Sequence, residues 1–319
     1  MAVTPNLGLA APLVSGVAGW ITRLKDDLSR IDQAASGLGA AEQLLVNPRL
    51  AVWQRQDRLG QTSWSVHAAY AADRWNLSLA GGSAMVVTRI AGADGGPYAA
   101  HLAYTHAGGG TATFEQLLEC WPQMAGRTVS MRARVLCATA SAVRLVVDDG
   151  VTGHNSAYHS GGGGWETLTC TFTVGASPTT VKAGVIFDTV TATADVESLS
   201  LVHGSTPMPC APLDFEQELA RCLRYLEVLG GASGYPYLSG YGTAAGVKEV
   251  ENLPFAVPKG GTPTVTLAGS WTKSPGSIAN PVTQGVSARG VALSITSDAT
   301  GQFEATPSTA TVAIEWNPA

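Results

Sequence analysis

The spacing of apolar residues changes character along the chain. Residues 1–16, ending in Pro12-Leu13-Val14-Ser15-Gly16, show neither a helical nor a strand period and read as an extended segment. Apolar residues then fall at Val17, Ile21, Leu24, Leu28, Ile31, Ala35 and Leu38, in alternating steps of four and three, flanked by Arg23, Lys25, Asp26, Asp27, Arg30 and Asp32. That is the a/d stripe of a coiled coil, and Gly37 and Gly39 close it. A helix this short is marginal alone. The expectation is an oligomerising, trimer-forming helix over 17–40. The alternative is an amphipathic helix lying on its own domain.

From Leu44 the period becomes two. It is clear in Val129-Met131-Ala133-Val135-Cys137, in Leu168-Cys170-Phe172-Val174 and in Val181-Ala183-Val185-Phe187, with Thr167, Thr169, Thr171 and Thr173 on the opposite phase of the second run. Strands with one buried and one solvated face alternate in this way. Glycine-rich turns separate them: Gly81-Gly82, Gly95-Gly96-Pro97, Gly108 to Gly110 and Gly161 to Gly164. An antiparallel jelly-roll β-sandwich is expected over 45–206. Pro207, Pro209 and Pro212 break the pattern, and a linker with a short helix is expected over 207–231. Asp214 serves as its N-cap, with Gln217 at the capping-box position, and the helix runs to about Leu229 before Gly230 and Gly231. The tail, 232–319, returns to β, with strands at Phe255–Pro258, Pro263–Leu267, Val291–Ile295 and Thr311–Trp316 that predict a C-terminal β-sandwich tip domain. The predicted class is mainly β.

Three segments resemble bacteriophage tail-fibre and minor structural proteins. The first joins Asn47-Pro48-Arg49-Leu50-Ala51-Val52-Trp53-Gln54-Arg55 to Tyr70-Ala71-Ala72-Asp73-Arg74-Trp75, and looks like the opening of a carbohydrate-binding-module-like jelly roll. The second, Phe215 to Glu227, is similar to the helix that follows that jelly roll, with Gln217 at a position usually acidic and Leu223 where Gln is common. The third, Val257-Pro258 with Pro263 to Leu267, looks like the strand that opens the tip. Thr4 to Leu9 also resembles a particle-attachment segment, which points to Pro5, Asn6, Leu7 and Leu9. The resemblance implies a homotrimeric virion fibre or spike, attached by its N-terminus to tail, baseplate or portal/capsid-vertex proteins. Its expected partner is host surface polysaccharide. The alternatives are a purely structural head or tail decoration or collar protein, and a capsule depolymerase.

Composition narrows the classes. Charged residues make up 13% of the 319 residues and the net charge is -5, with no basic stripe to displace the counterions of a nucleic acid. No apolar run reaches the ~20 residues that span a bilayer, and the apolar start lacks a cationic region and is interrupted by Pro5 and Pro12, so neither membrane insertion nor a secretory signal is expected. The five cysteines, Cys120, Cys137, Cys170, Cys210 and Cys222, form no CxxC pair; Cys137 and Cys170 fall on the apolar phase of alternating strands and read as buried small hydrophobes. Assembly in a reducing host cytoplasm followed by residence in the virion fits.

Candidate chemistry is sparse. Asp73, Arg74 and Trp75 are expected to form a framework Asp–Arg pair beside a core aromatic. Asp148-Asp149-Gly150 is expected to be a turn. His101 and His106, flanking Tyr104, read as surface residues. His154 and His159 have no evident third metal ligand, so no metal and no cofactor is expected. No catalytic triad, nucleophile elbow or phosphate loop appears, so an enzyme is not expected. Two aromatic sites could hold a saccharide. One is the glycine-rich loop with His154, Asn155, Tyr158, His159 and Trp165. The other is the cluster of Tyr235, Tyr237 and Tyr241.

Overall fold

The computed structural model describes residues 43–211, 213–230, 238–275 and 278–317. The heptad positions Val17, Ile21, Leu24, Leu28, Ile31, Ala35 and Leu38, the attachment positions Pro5, Asn6, Leu7 and Leu9, and Tyr235 and Tyr237 lie outside the described residues. Among the described residues the protein is mainly β, with two α-helices, α1 (Gln54–Leu59) and α2 (Phe215–Leu223), and one 3-10 turn at Trp121–Gln123.

The larger half is a β-sandwich of two five-stranded antiparallel sheets. Sheet I contains β1 (Asn76–Ala80), β4 (Thr111–Leu117), β6 (Val143–Asp148), β7 (Gly153–Asn155) and β9 (Lys182–Phe187), in the order β1-β4-β9-β6-β7. Sheet II contains β2 (Ala84–Ala91), β3 (Tyr98–Thr105), β5 (Thr128–Cys137), β8 (Trp165–Thr173) and β10 (Ala192–His203), in the order β2-β3-β10-β5-β8. The alternating runs of β5, β8 and β9 place their apolar phase inward, as the period-two pattern predicts. Cross-strand register then lines the core: Leu77, Phe114, Val185 and Leu145 lie opposite one another across sheet I, and Val87, Leu102, Ala194 and Cys137 do so across sheet II. Trp53, Trp75, Tyr104 and Phe187 fill the space between them. Cys137 and Cys170 are buried, as expected, and so is Cys222; Cys120 and Cys210 are part-buried.

Gly184 of β9 pairs with Glu115 of β4. A Cβ there would lie 2.2 Å from the Phe114 carbonyl oxygen and 2.7 Å from Glu115 Cα, both backbone atoms that cannot swing away. Gly184→Ala is therefore expected to lower stability by about 2–3 kcal/mol and the thermal midpoint by about 5–10 °C, as a melt followed by circular dichroism would show.

The smaller half is built from three three-stranded antiparallel sheets around one core, where a two-sheet sandwich was expected. They are β11 (Leu226–Gly230), β19 (Thr311–Glu315) and β14 (Thr264–Ala268); β12 (Leu238–Gly242), β18 (Gly301–Pro307) and β15 (Trp271–Ser274); and β13 (Lys248–Pro254), β17 (Gly290–Thr296) and β16 (Val282–Ser287). Leu253, Phe255, Trp271, Leu293, Phe303 and Ile314 are among the residues that pack its centre.

Three local expectations are corrected here. The helix stops at Leu223, because Leu226–Gly230 pairs along its whole length with β19 and buries Leu226 and Val228. Asp214 is the N-cap residue but its side chain accepts no capping hydrogen bond, so the capping box with Gln217 is not made. Phe255–Pro258 is a loop, held by Phe255 N–H donating to the Arg289 carbonyl at 2.9 Å, with the strand ending before it at Pro254.

Candidate functional site

The two sequence segments around Trp53 and Tyr225 meet at the joint between the halves. α1 starts under Asp73, whose carboxylate accepts the Gln54 backbone N–H at 3.0 Å and Gln54 Nε2 at 2.6 Å; the same Nε2 donates to the Leu226 carbonyl at 2.8 Å. Arg55 pairs with Glu315 at 2.7 Å. The Arg74 guanidinium lies 3.9 Å from the centre of the Tyr225 ring, and Tyr225 Oη donates to Glu119 at 2.6 Å. Arg224 clasps the same Glu119, and Trp316 stacks on the outer side of Tyr225 with ring centres 5.5 Å apart. Asp73, Arg74 and Trp75 are thus framework residues, as expected. The expected Asp73–Arg74 pair does not form, however, because Asp73 is taken by Gln54 and Arg74 turns to the Tyr225 ring and the Leu117 carbonyl.

Burial pushes the Asp73 carboxyl up to about 6, against the opposing pull of Arg55 and the Gln54 hydrogen bonds. The folded value exceeds the unfolded one, so Asp73 favours the folded state fully below about pH 4, and that contribution is lost as pH rises toward 6. The difference is on the order of 3 kcal/mol. Asp73→Asn should flatten the pH dependence of the melting temperature between pH 4 and 6, which a pH series of melts would check.

The loop that follows β6 distributes the remaining candidates over several surfaces. Asp149 closes the expected turn by accepting the N–H groups of Val151 at 2.9 Å, Thr152 at 2.8 Å and Gly175 at 2.9 Å. His159 is 1% exposed; its Nε2 faces the Val135 carbonyl at 3.1 Å and its Nδ1 accepts the Gly161 N–H at 2.9 Å. Both ring nitrogens are occupied by backbone, so His159 holds the loop and is withdrawn from the ligand-contact set. His154 lies at the sandwich edge with its ring 4.2 Å from that of Phe172. Trp165 stands on the outer face of sheet II opposite Leu136, with Arg134 4.8 Å over its ring and Arg134 in turn bonded to Glu197 at 2.6 Å. His101 shares that face, paired with Asp195 at 2.5 Å, whereas His106 bonds at 2.8 Å to the buried Tyr104 hydroxyl. Tyr241 is on β12 in the other half and is 56% exposed.

Tyr158 and Asn155 fall together at one end of the outer face of sheet I. Register places Asn76, Glu115, Gly184, Val146 and Asn155 in one row across all five strands, with Thr113, Ile186 and Arg144 in the next. These residues point away from the core, yet Glu115 and Val146 are less than a tenth exposed. No described helix or strand lays a further layer over them. The middle of the row is therefore shielded from solvent, whereas Asn155 at its end is exposed. Arg144 stacks 4.4 Å from the Tyr158 ring centre and pairs with Asp188, which accepts the Tyr158 hydroxyl at 2.9 Å. Glu115 faces Lys182 at 3.3 Å; its carboxyl is raised by burial, with Lys182 opposing. Sequence reasoning missed Glu115, Lys182, Arg144 and Asp188. The available signal was the polar phase of Thr111-Ala112-Thr113-Phe114-Glu115, which alternates against the core-facing Ala112 and Phe114.

No protein-family model and no curated protein matches this chain. Among solved structures, the chain is similar to the family 11 carbohydrate-binding module from Clostridium thermocellum, in complex with a β-1,3-1,4-mixed-linked tetrasaccharide. That match has 11% identity over 46% of this chain and 98% of the other, with a TM-score of 0.33. The CBM22-1 xylan-binding domain from Paenibacillus barcinonensis Xyn10C matches at 11% identity over 45% of this chain and 94% of the other, with a TM-score of 0.34. The enzymatically active domain of bacteriophage CBA120 tailspike protein 4 matches at 10% identity over 41% of this chain and 19% of the other, with a TM-score of 0.32. At this level the likeness is one of strand arrangement and carries no further conclusion.

Proposed function

We propose that this chain is a fibre or spike protein of a phage or phage-like particle, attached through its N-terminal segment and binding host surface polysaccharide without cleaving it. The reading rests on one end of the outer face of sheet I, where an exposed amide, Asn155, and a half-buried aromatic, Tyr158, lie together. Tyr158 is held by Arg144 and Asp188, so it loses little freedom on binding. Its ring would meet the C–H side of a sugar, while the Asn155 amide would meet hydroxyls. Glu115 and Asp188 are each engaged by a cation, an arrangement that suits hydrogen bonding better than proton transfer at a glycosidic bond. Single sites of this kind bind weakly. Three copies joined by the heptad seam at Val17 to Leu38 would supply avidity.

Tyr158→Ala is expected to cost about 1 kcal/mol per site, and roughly a hundredfold in the avidity of a trimer for immobilised host polysaccharide. Surface plasmon resonance on purified chain measures it. A second reading, a structural collar or decoration protein, is favoured by one observation: the residues that carry the family resemblance are spent on the joint between the halves. Sedimentation as a trimer with no retention on any host envelope fraction would select that reading. Release of new reducing ends from the polysaccharide would select a depolymerase.

A further inference from the structure

Between β4, the 3-10 turn and α2 lies a cavity of about 330 Å³ whose wall includes Arg74, Arg221, Gln116, Glu119, Gln123 and Tyr225. Its acceptors are already committed. Gln116 is bonded at both ends of its amide to Val46, at 2.7 and 2.8 Å, and Glu119 takes Arg224 and the Tyr225 hydroxyl. Of its two cations, Arg221 is paired and Arg74 keeps unsatisfied donors. Arg221 donates to the Leu45 carbonyl at 2.9 Å and stands 3.7 Å from Glu218. Arg74 is only 4% exposed; Nη2 donates to the Leu117 carbonyl, and Nε and Nη1 have no acceptor among the described residues. No described carboxylate lies within ion-pair distance of it; its guanidinium rests on the Tyr225 ring, and Glu119 acts on it from farther away. A guanidinium cannot shed its proton to escape burial, and each orphan donor costs free energy that an acceptor would recover. A planar fork of this kind is matched by a carboxylate.

We propose that this cavity binds a carboxylate-bearing ligand, taken up between Arg74 and Arg221. The site is separate from the outer face of sheet I and bridges the two halves, because Arg221 and Tyr225 come from the linker and Arg74 from the sandwich. The carboxylate could belong to a free small acid or to a uronic-acid residue of a glycan. Thermal unfolding of the full chain in sodium acetate, sodium glucuronate, glucose, sodium phosphate and sodium chloride at matched ionic strength tests the proposal, with the affinity then measured by calorimetry. Acetate and glucuronate should raise the melting temperature saturably, and glucose and chloride should not. A tenfold tighter response to glucuronate assigns the uronate source, and an equal response assigns the small acid. Gln123 is exposed and its side chain makes no described hydrogen bond, so Gln123→Trp should leave the ligand-free melt unchanged and weaken binding tenfold or more by filling the mouth. Tyr158→Ala should leave the carboxylate response intact, which separates this site from the polysaccharide face. The proposal is overturned if neither carboxylate shifts the melt, if chloride or phosphate shifts it as much, or if Gln123→Trp binds as tightly as the parent.

Discussion

Asn47→Ala is expected to destabilise the protein by about 4 kcal/mol. Asn47 is fully buried. Its amide donates to the carbonyls of Val52 at 2.8 Å and Asp73 at 3.1 Å, and its side-chain oxygen accepts the Val52 N–H at 3.0 Å. Its backbone works as hard: its N–H donates to Glu218 at 2.6 Å and its carbonyl accepts Trp75 Nε1 at 3.0 Å. Alanine deletes the three side-chain bonds and leaves their partners buried, at about 1 kcal/mol or more each. The backbone there has φ 56, a left-handed conformation that Asn tolerates and Ala does not, worth about 1 kcal/mol. Urea denaturation should show the loss as a lower midpoint. Asn47→Gly should recover only the backbone share, about 1 kcal/mol, because it restores the conformation but not the bonds.

Lys259→Met is expected to cost about 3–5 kcal/mol. Lys259 Nζ is enclosed, 2.8 Å from Glu227 and also bonded to the Leu223 carbonyl at the end of α2. Glu227 is 4% exposed and otherwise meets only the Ala256 N–H, at 3.0 and 3.2 Å. Removing the cation strands a buried carboxylate. The double change Lys259→Met with Glu227→Leu should be far milder than the single one, because it removes both charges and their desolvation cost together. A double-mutant cycle by chemical denaturation reads this directly. If the single and double variants lose the same stability, the pair contributes no electrostatic coupling and the linker is held by packing alone.

Asn47 lies in the first of the segments that resemble fibre proteins and Lys259 beside the third. β5, β8, β9, β14, β17 and β19 were readable because each has one face in a core, which imposes a period of two on the residues themselves. β11 was not, because Leu226-Glu227-Val228-Leu229 continues a helical pattern and becomes a strand only through pairing with a partner more than 80 residues away. The joint was invisible for the same reason: Asn47 and Glu218, or Gln54 and Leu226, are brought together across some 170 residues. Within the loop of candidate contacts, Tyr158 and Asn155 were named together with His159 and Trp165. The structure sends His159 inward because Gly161 lets the chain turn back against Ala140, where a Cβ would lie 2.7 Å from a backbone nitrogen. Trp165 goes to the other sheet because β8 pairs with β5 and not with β7. Sheet membership is a non-local property that a short glycine-rich segment does not encode.

The outer face of sheet I is the surface proposed to hold polysaccharide. Purified full-length chain would be titrated onto immobilised host envelope polysaccharide beside Tyr158→Ala and Trp165→Ala, with the fold of each checked by its melting curve. Retention that collapses for Tyr158→Ala and persists for Trp165→Ala is the predicted result. Equal retention for Tyr158→Ala and the parent chain would contradict it.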